Sequence, residues 1–225
     1  MSTTQLTIEE PRSSLGTPVW ELARLYPAQG QWTEEDYLAL HTNQLIEFTQ
    51  GVLEFLEVPT RKHQLIVAAL YHKLYQYNLQ RDLGEVHFAP LRIRVAPSTI
   101  REPDVLFLAK ERLSEDTTIP PEGADLAMEV VSSSPESRER DLVKKRNDYA
   151  LAGISEYWIV DPAKETITVL ALKGEVYVTV GEYRIGQIAT SQLLPGFEID
   201  VAEALSIECS VRRIDPRRSS ETTDQ

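Results

Sequence analysis

The 225-residue chain has a single cysteine, Cys209. An intramolecular disulfide, a cysteine-rich zinc site and a CxxC redox pair are therefore excluded. No run of apolar residues approaches the roughly 18 that a membrane helix needs, and the N-terminus lacks the basic start and apolar block of a secretory signal. A cytoplasmic location with no membrane partner is the expectation. Positive charge is scarce, with 23 Lys and Arg against 35 Asp and Glu and a net charge of −12. That excludes a protein that coats nucleic acid by bulk charge. Chemistry must come from carboxylates, lysine, histidine or hydroxyls.

What is present is an ordinary globular composition, 42% hydrophobic and 26% charged, sufficient for one domain over residues 18–210. Residues 1–17 and 211–225 are rich in Ser and Thr, lack periodicity and are expected to be a disordered lead-in and a flexible tail. The charge is uneven. Residues 1–60 carry two basic and nine acidic side chains, whereas residues 61–112 carry nine basic and five acidic. An anionic ligand is expected to approach that second segment.

TEEDYLAL, residues 33–40, reads as a short helix capped by Thr33 with Asp36 three positions on. Residues 45–58 form two β-prone runs around Gly51, a hairpin. Residues 63–79 have helical apolar spacing. Strands follow at 86–95, 104–109 and 125–131, with loops at 96–103 and 114–124. A helix spans 135–152, with Pro135 in its first turn and Gly153 past its end, and a strand spans 156–160. Later segments read as short strands with glycine turns at 174, 181 and 196. The order helix, strand, strand, strand, helix, strand predicts an α/β (α+β) mixed sheet covered by helices, with an N-terminal hairpin and a C-terminal β extension.

Two carboxylates fall where strands should be buried, and a buried charge must be paired or hold a metal. Asp104 opens DVLFLA. Glu129 lies inside LAMEVV on the face shared by Ala127 and Val131. In register, the two would converge at one end of the sheet as hard oxygen ligands for Mg²⁺ or Mn²⁺. The alternative is a structural ion pair with Arg101 or Lys145. On a helical wheel Lys145 falls in the apolar stripe and Lys144 faces solvent, and Asp141 can hold Lys145 by an i, i+4 pair. Beside two metal-binding carboxylates, a lysine suits phosphodiester hydrolysis; the other reading is a snorkelling lysine at the core edge. Tyr71, Tyr75 and Tyr77 read as packing rather than a base-stacking platform, and SSSPE as a helix cap rather than a nucleophile.

The segments IEFTQGVLEFLEVPTRKHQ, REPDVLFL and DLAMEVVSSSPESRERDLVKKRNDYALAGISEYWIVDP closely resemble the Uma-two restriction endonuclease family of the PD-(D/E)XK nuclease superfamily. The resemblance spans roughly residues 31–205. It implies a restriction-endonuclease-like αβββαβ core and a Mg-dependent endonuclease acting on DNA. Asp104 would be the PD aspartate and Glu129 the acid of the (D/E)XK element, both metal ligands, with Lys145 completing the catalytic set. Val131 stands where the superfamily has lysine; in this family the lysine comes from the following helix. Glu47 and His63 match family positions that could line the metal site or phosphate path, beside their plainer readings as a hairpin surface residue and a helix N-terminal residue. Cleavage of both strands would call for a homodimer. A catalytically silent interaction module and a hydrolase of small phosphoesters are the alternatives.

Overall fold

The computed structural model describes residues 26–42, 44–132 and 134–205. The two terminal segments, Cys209 and Ser133 lie outside these residues. The chain begins with a short helix, α1 (Glu34–Leu38), closed by a reciprocal Thr33–Asp36 capping box. A hairpin follows, β1 (Ile46–Thr49) and β2 (Val52–Phe55). Its two-residue turn has positive φ at Gln50 and Gly51, the geometry that matches strand twist. Gly51 is required twice over, because a Cβ there would sit 2.8 Å from the Gly30 carbonyl oxygen.

Helix α2 (Arg61–Leu79), capped by Thr60, precedes β3 (Gly84–Phe88), β4 (Ile93–Ala96), β5 (Thr99–Arg101) and β6 (Val105–Ala109). Next come β7 (Leu126–Val130), the helical segments α3 (Pro135–Glu139) and α4 (Lys145–Leu151), and β8 (Glu156–Asp161). The chain continues through β9 (Thr166–Lys173), β10 (Val176–Arg184), β11 (Ile188–Thr190), β12 (Glu198–Asp200) and α5 (Val201–Leu205). Three sheets result, ordered β10-β9-β8-β7-β6-β3, β2-β1-β5-β4 and β11-β12. Within the first sheet β3, β6 and β7 run antiparallel while β7 and β8 are parallel across the helical crossover. This is the αβββαβ arrangement expected from the sequence.

The central strands are buried on both faces. Leu126, Met128 and Val130 pack with Trp158 and Val160 against α2 and α5. Ala127 and Val131 face the other way, with Tyr149, Tyr157 and Ile159. A smaller core under α1 holds Tyr37, Phe48 and Ile100.

Three sequence expectations are corrected. Residues 86–95 are not one strand, because the chain turns at Ala89-Pro90 and sends β3 and β4 into different sheets. The predicted loop at 96–103 contains β5, which bridges β1 and β4. Gly181 is not a turn but lies inside β10, where the register with β9 shifts between Thr179 and Gly181, as at a bulge.

Away from the helix crossover, Glu156 ties β8 to the loop after β11. One carboxylate oxygen accepts from the Trp158 indole and the Ser191 hydroxyl, both at 2.7 Å, and the other from the backbone N–H groups of Gln192 and Leu193. Replacing Glu156 with alanine leaves four donors without acceptors. Glu156→Ala should therefore lose about 3 kcal/mol of stability or more, read as a lower urea midpoint at unchanged slope.

Candidate active site

Val105 pairs with Met128, so Asp104 falls opposite Glu129 and both point to the α3–α4 side of the sheet. The Asp104 carboxylate accepts from the Val130 N–H at 2.8 Å and from His63 Nε2 at 3.2 Å. Lys145 enters from above. Between α3 and α4 the segment Arg140–Lys144 is π-helical, and the Lys145 N–H reaches back to the Arg140 carbonyl. Such one-residue insertions re-aim the residues around them. Here Arg140, Asp141 and Lys145 all turn inward, while Lys144 faces solvent.

The Lys145 ammonium is only 2% exposed. Its Nζ lies 2.9 Å from Glu129 Oε1, 3.0 Å from Glu47 Oε1 and 3.7 Å from Asp141. Burial alone would release its proton; Glu129, Glu47, Asp141 and Asp104 together outweigh burial and hold Lys145 firmly charged. Tyr149 donates its hydroxyl to the same Glu129 oxygen at 2.5 Å. One ammonium cannot neutralise three carboxylates. Burial, with the charges of Asp104, Asp141 and Glu47 adding to it against Lys145, pushes the Glu129 carboxyl up to about 8. Burial likewise raises Asp141, against the opposing pull of Lys145 and Arg140. For His63 burial works downward, but the Asp104 carboxylate wins and holds the imidazole above its ordinary range.

Asp104, Glu129, Asp141, Lys145 and His63 line one cavity of about 40 Å³, room for roughly two or three water-sized groups. Among the described residues no three carboxylate, imidazole or thiol groups form a ready-made metal cage.

All six residues singled out in the sequence thus meet within one cluster. Glu47 is not a hairpin surface residue, since it is fully buried on Lys145, and His63 is more than a helix opener. Arg101 is not the partner of Asp104 or Glu129; its guanidinium binds Asp148 at 2.6 Å and approaches Glu47 at 3.7 Å. Val131 is buried in apolar company, and the ammonium near Glu129 comes from the helix instead. Ser134 accepts from the Ser137 N–H, as a capping residue does.

Two contributors were given no role from the sequence. Tyr149 completes an i, i+4, i+8 row with Asp141 and Lys145, a spacing that was visible. Glu102, two residues before Asp104 in a stretch read as loop, is buried beside the cavity. Its backbone N–H donates to Glu47 Oε1 and one of its oxygens accepts from Arg92, while Oε2 has no partner among the described residues. Burial, opposed by Arg92, carries its carboxyl up to about 7.

An antiparallel β3-β6-β7 unit joined by a helix to a parallel strand, with two carboxylates and a lysine where the helix crosses, defines a protein of the restriction-endonuclease-like class. Residues 34–202, well over half of the chain, match the Uma2 family, described as "Putative restriction endonuclease". The chain belongs to this family. A crystal structure of "a putative nuclease belonging to DUF820 from Anabaena variabilis ATCC 29413" shares the fold with a TM-score of 0.63. The two are 14% identical, over 76% of this chain and 96% of that one. No curated protein matches the chain.

Because the folded state raises Glu129 from 4.5 to about 8, the folded protein binds that proton more tightly than the unfolded chain does. The stability this contributes is full below about pH 4.5 and is lost as pH rises through about 8. The urea midpoint of the wild type, measured against that of Glu129→Gln, should fall steadily across this window. A pH-independent difference would contradict the assignment.

Proposed function

We propose that this protein is a metal-dependent endonuclease that hydrolyses DNA phosphodiester bonds in the cytoplasm. The observation that carries this reading is the convergence of Asp104 and Glu129, from adjacent strands, on one cavity with the Lys145 ammonium 2.9 Å from Glu129. The donor set suits Mg²⁺ or Mn²⁺. Mg²⁺ is usually held by one or two carboxylates, with waters and substrate phosphate oxygens completing its shell, rather than by an all-protein cage. Two hard-oxygen ligands in a cluster with more carboxylate than ammonium charge meet that requirement.

Asp104 and Glu129 would hold the cation, which when bound supplies Lewis acidity toward the scissile phosphate and acidifies a water. The remaining roles belong to the chain. Lys145 holds its proton and presents positive charge to the cavity, offsetting charge that develops on phosphoryl oxygens. Glu47 and Asp141 fix the position of Lys145, Tyr149 fixes Glu129, and His63 and the Val130 N–H fix Asp104. None of these carboxylates can rotate away without stranding a buried donor.

The fold also narrows where DNA can bind. Of the nine basic side chains in residues 61–112, six are consumed in ion pairs. Lys73 binds Glu203, Arg92 Glu102, Arg94 Glu34 and Glu122, Arg101 Asp148, Lys110 Asp82 and Arg112 Asp125. Arg81 lies over the Tyr77 ring. Arg61, Lys62 and Arg81 make no ion pair among the described residues, and of these Arg61 and Lys62 lie exposed at the start of α2, nearest the cavity.

Cleavage of DNA, offered both as plasmid and as single strands, with Mg²⁺ or Mn²⁺ tests the proposal. The wild type should cut, and Asp104→Asn, Glu129→Ala and Lys145→Ala should each lose about a hundredfold in rate or more, with thermal melting confirming that the variants fold. Activity surviving all three would refute the assignment. Turnover confined to small phosphoesters would favour a different hydrolase, and neither activity nor metal binding would favour a silent module.

A further inference from the structure

Helix α2 is unusual in this acidic protein, because its nineteen residues from Arg61 to Leu79 include no Asp or Glu. Its first turn is basic and lies at the candidate active site. Lys62 and His63 line a cleft of about 230 Å³, bordered also by Thr60 and Pro162, that adjoins the catalytic cavity through their shared residues Glu57, Pro59, His63, Val130 and Ser132.

Farther along the same helix lies an aromatic cluster anchored on the core by Tyr71 and left exposed at Tyr75 and Phe88. Tyr77 is a core residue, buried, with its hydroxyl bonded to the Pro195 carbonyl. Tyr71 and Tyr75 differ. Their rings stack with centroids 5.6 Å apart, the Phe88 ring meets Tyr71 edge-on at 4.9 Å, and neither hydroxyl makes a hydrogen bond among the described residues. Tyr75 is 42% exposed and Phe88 52%. Large apolar groups left in water side by side mark a binding surface more often than single exposed ones do. It lies near the catalytic cavity, since Phe88 directly precedes Ala89, one of the cavity's lining residues.

We infer that Tyr71, Tyr75 and Phe88 form a stacking platform for unpaired bases, and that single-stranded DNA runs along α2 with its phosphates on Arg61 and Lys62. This inference rests on the nuclease reading and specifies its substrate. Aromatic faces accept bases of any identity, and a basic track follows the backbone, which is how single strands are held without sequence readout. The bases of an intact duplex are stacked on one another and cannot reach such rings. The absence of carboxylates from α2 removes the repulsion that most of this protein's surface would exert on a polyanion.

The test is fluorescence anisotropy with labelled oligothymidylate, the same strand with abasic positions, and a duplex, all in EDTA so that binding is read without cleavage. The wild type should prefer the single strand. Tyr75→Ala and Phe88→Ala should each weaken it about tenfold, Tyr75→Trp should preserve it, and the abasic strand should bind the wild type and Tyr75→Ala alike. Unchanged affinity in both alanine variants, or equal binding of abasic and intact strands, would overturn the platform. So would sedimentation showing that Tyr75→Ala merely dissolves a dimer. A wild type that binds the strand but does not cut it with Mg²⁺ overturns the nuclease reading and leaves the platform standing. A wild type that cuts while the aromatic variants bind normally overturns the platform alone.

Discussion

The buried ammonium of Lys145 is the interaction on which the rest of the site depends. It joins three parts of the chain that are distant in sequence: Glu47 on β1, Glu129 on β7, and its own helix through Asp141. Each carboxylate would be costly to bury alone, and removing the shared cation from such a group is far more damaging than exchanging the whole group for apolar residues. The ammonium therefore docks the four-stranded sheet onto the main one by charge. Arg101 repeats the device one strand over, binding Asp148 on α4 and approaching Glu47. A core of this kind constrains geometry more tightly than apolar packing, because every donor has a specified acceptor.

That constraint has a chemical consequence. Burial first, and the neighbouring carboxylates after it, raise the affinity of Glu129 for its proton against the pull of Lys145. A group held with such a raised affinity for its proton is a common sign of a working site, although structural networks perturb carboxylates too. Glu129, with its raised affinity for a proton, lines the cavity, whereas Glu156 is satisfied entirely by neutral donors away from it.

Much of this was legible in the residues. The order of elements, the shared face of Asp104 and Glu129, and the inward aim of Lys145 follow from periods of two and 3.6, and the structure has all three. Less legible were features set by partners far along the chain. Glu47 alternates with Ile46 and Phe48 as any half-exposed strand residue would, and only the docking of the four-stranded sheet buries it. The β4–β5 pair was hidden because β5 is three residues long and draws its pairing from β1. The π-helical turn has no periodic signature in so short a helix. The basic character of residues 61–112 was read correctly as a total but misjudged as a surface, since ion pairs absorb most of it and leave Arg61, Lys62 and Arg81.

The most direct measurement is a calorimetric titration of Mn²⁺ into the wild type and Glu129→Gln near pH 7, in buffers with different heats of protonation. If Asp104 and Glu129 hold a divalent cation, the wild type should bind the ion and release part of a proton as it does so. Glu129→Gln should bind more weakly and release none. Absence of binding to the wild type, or equal binding and proton release in both proteins, would contradict this and leave the Lys145 cluster a structural clamp.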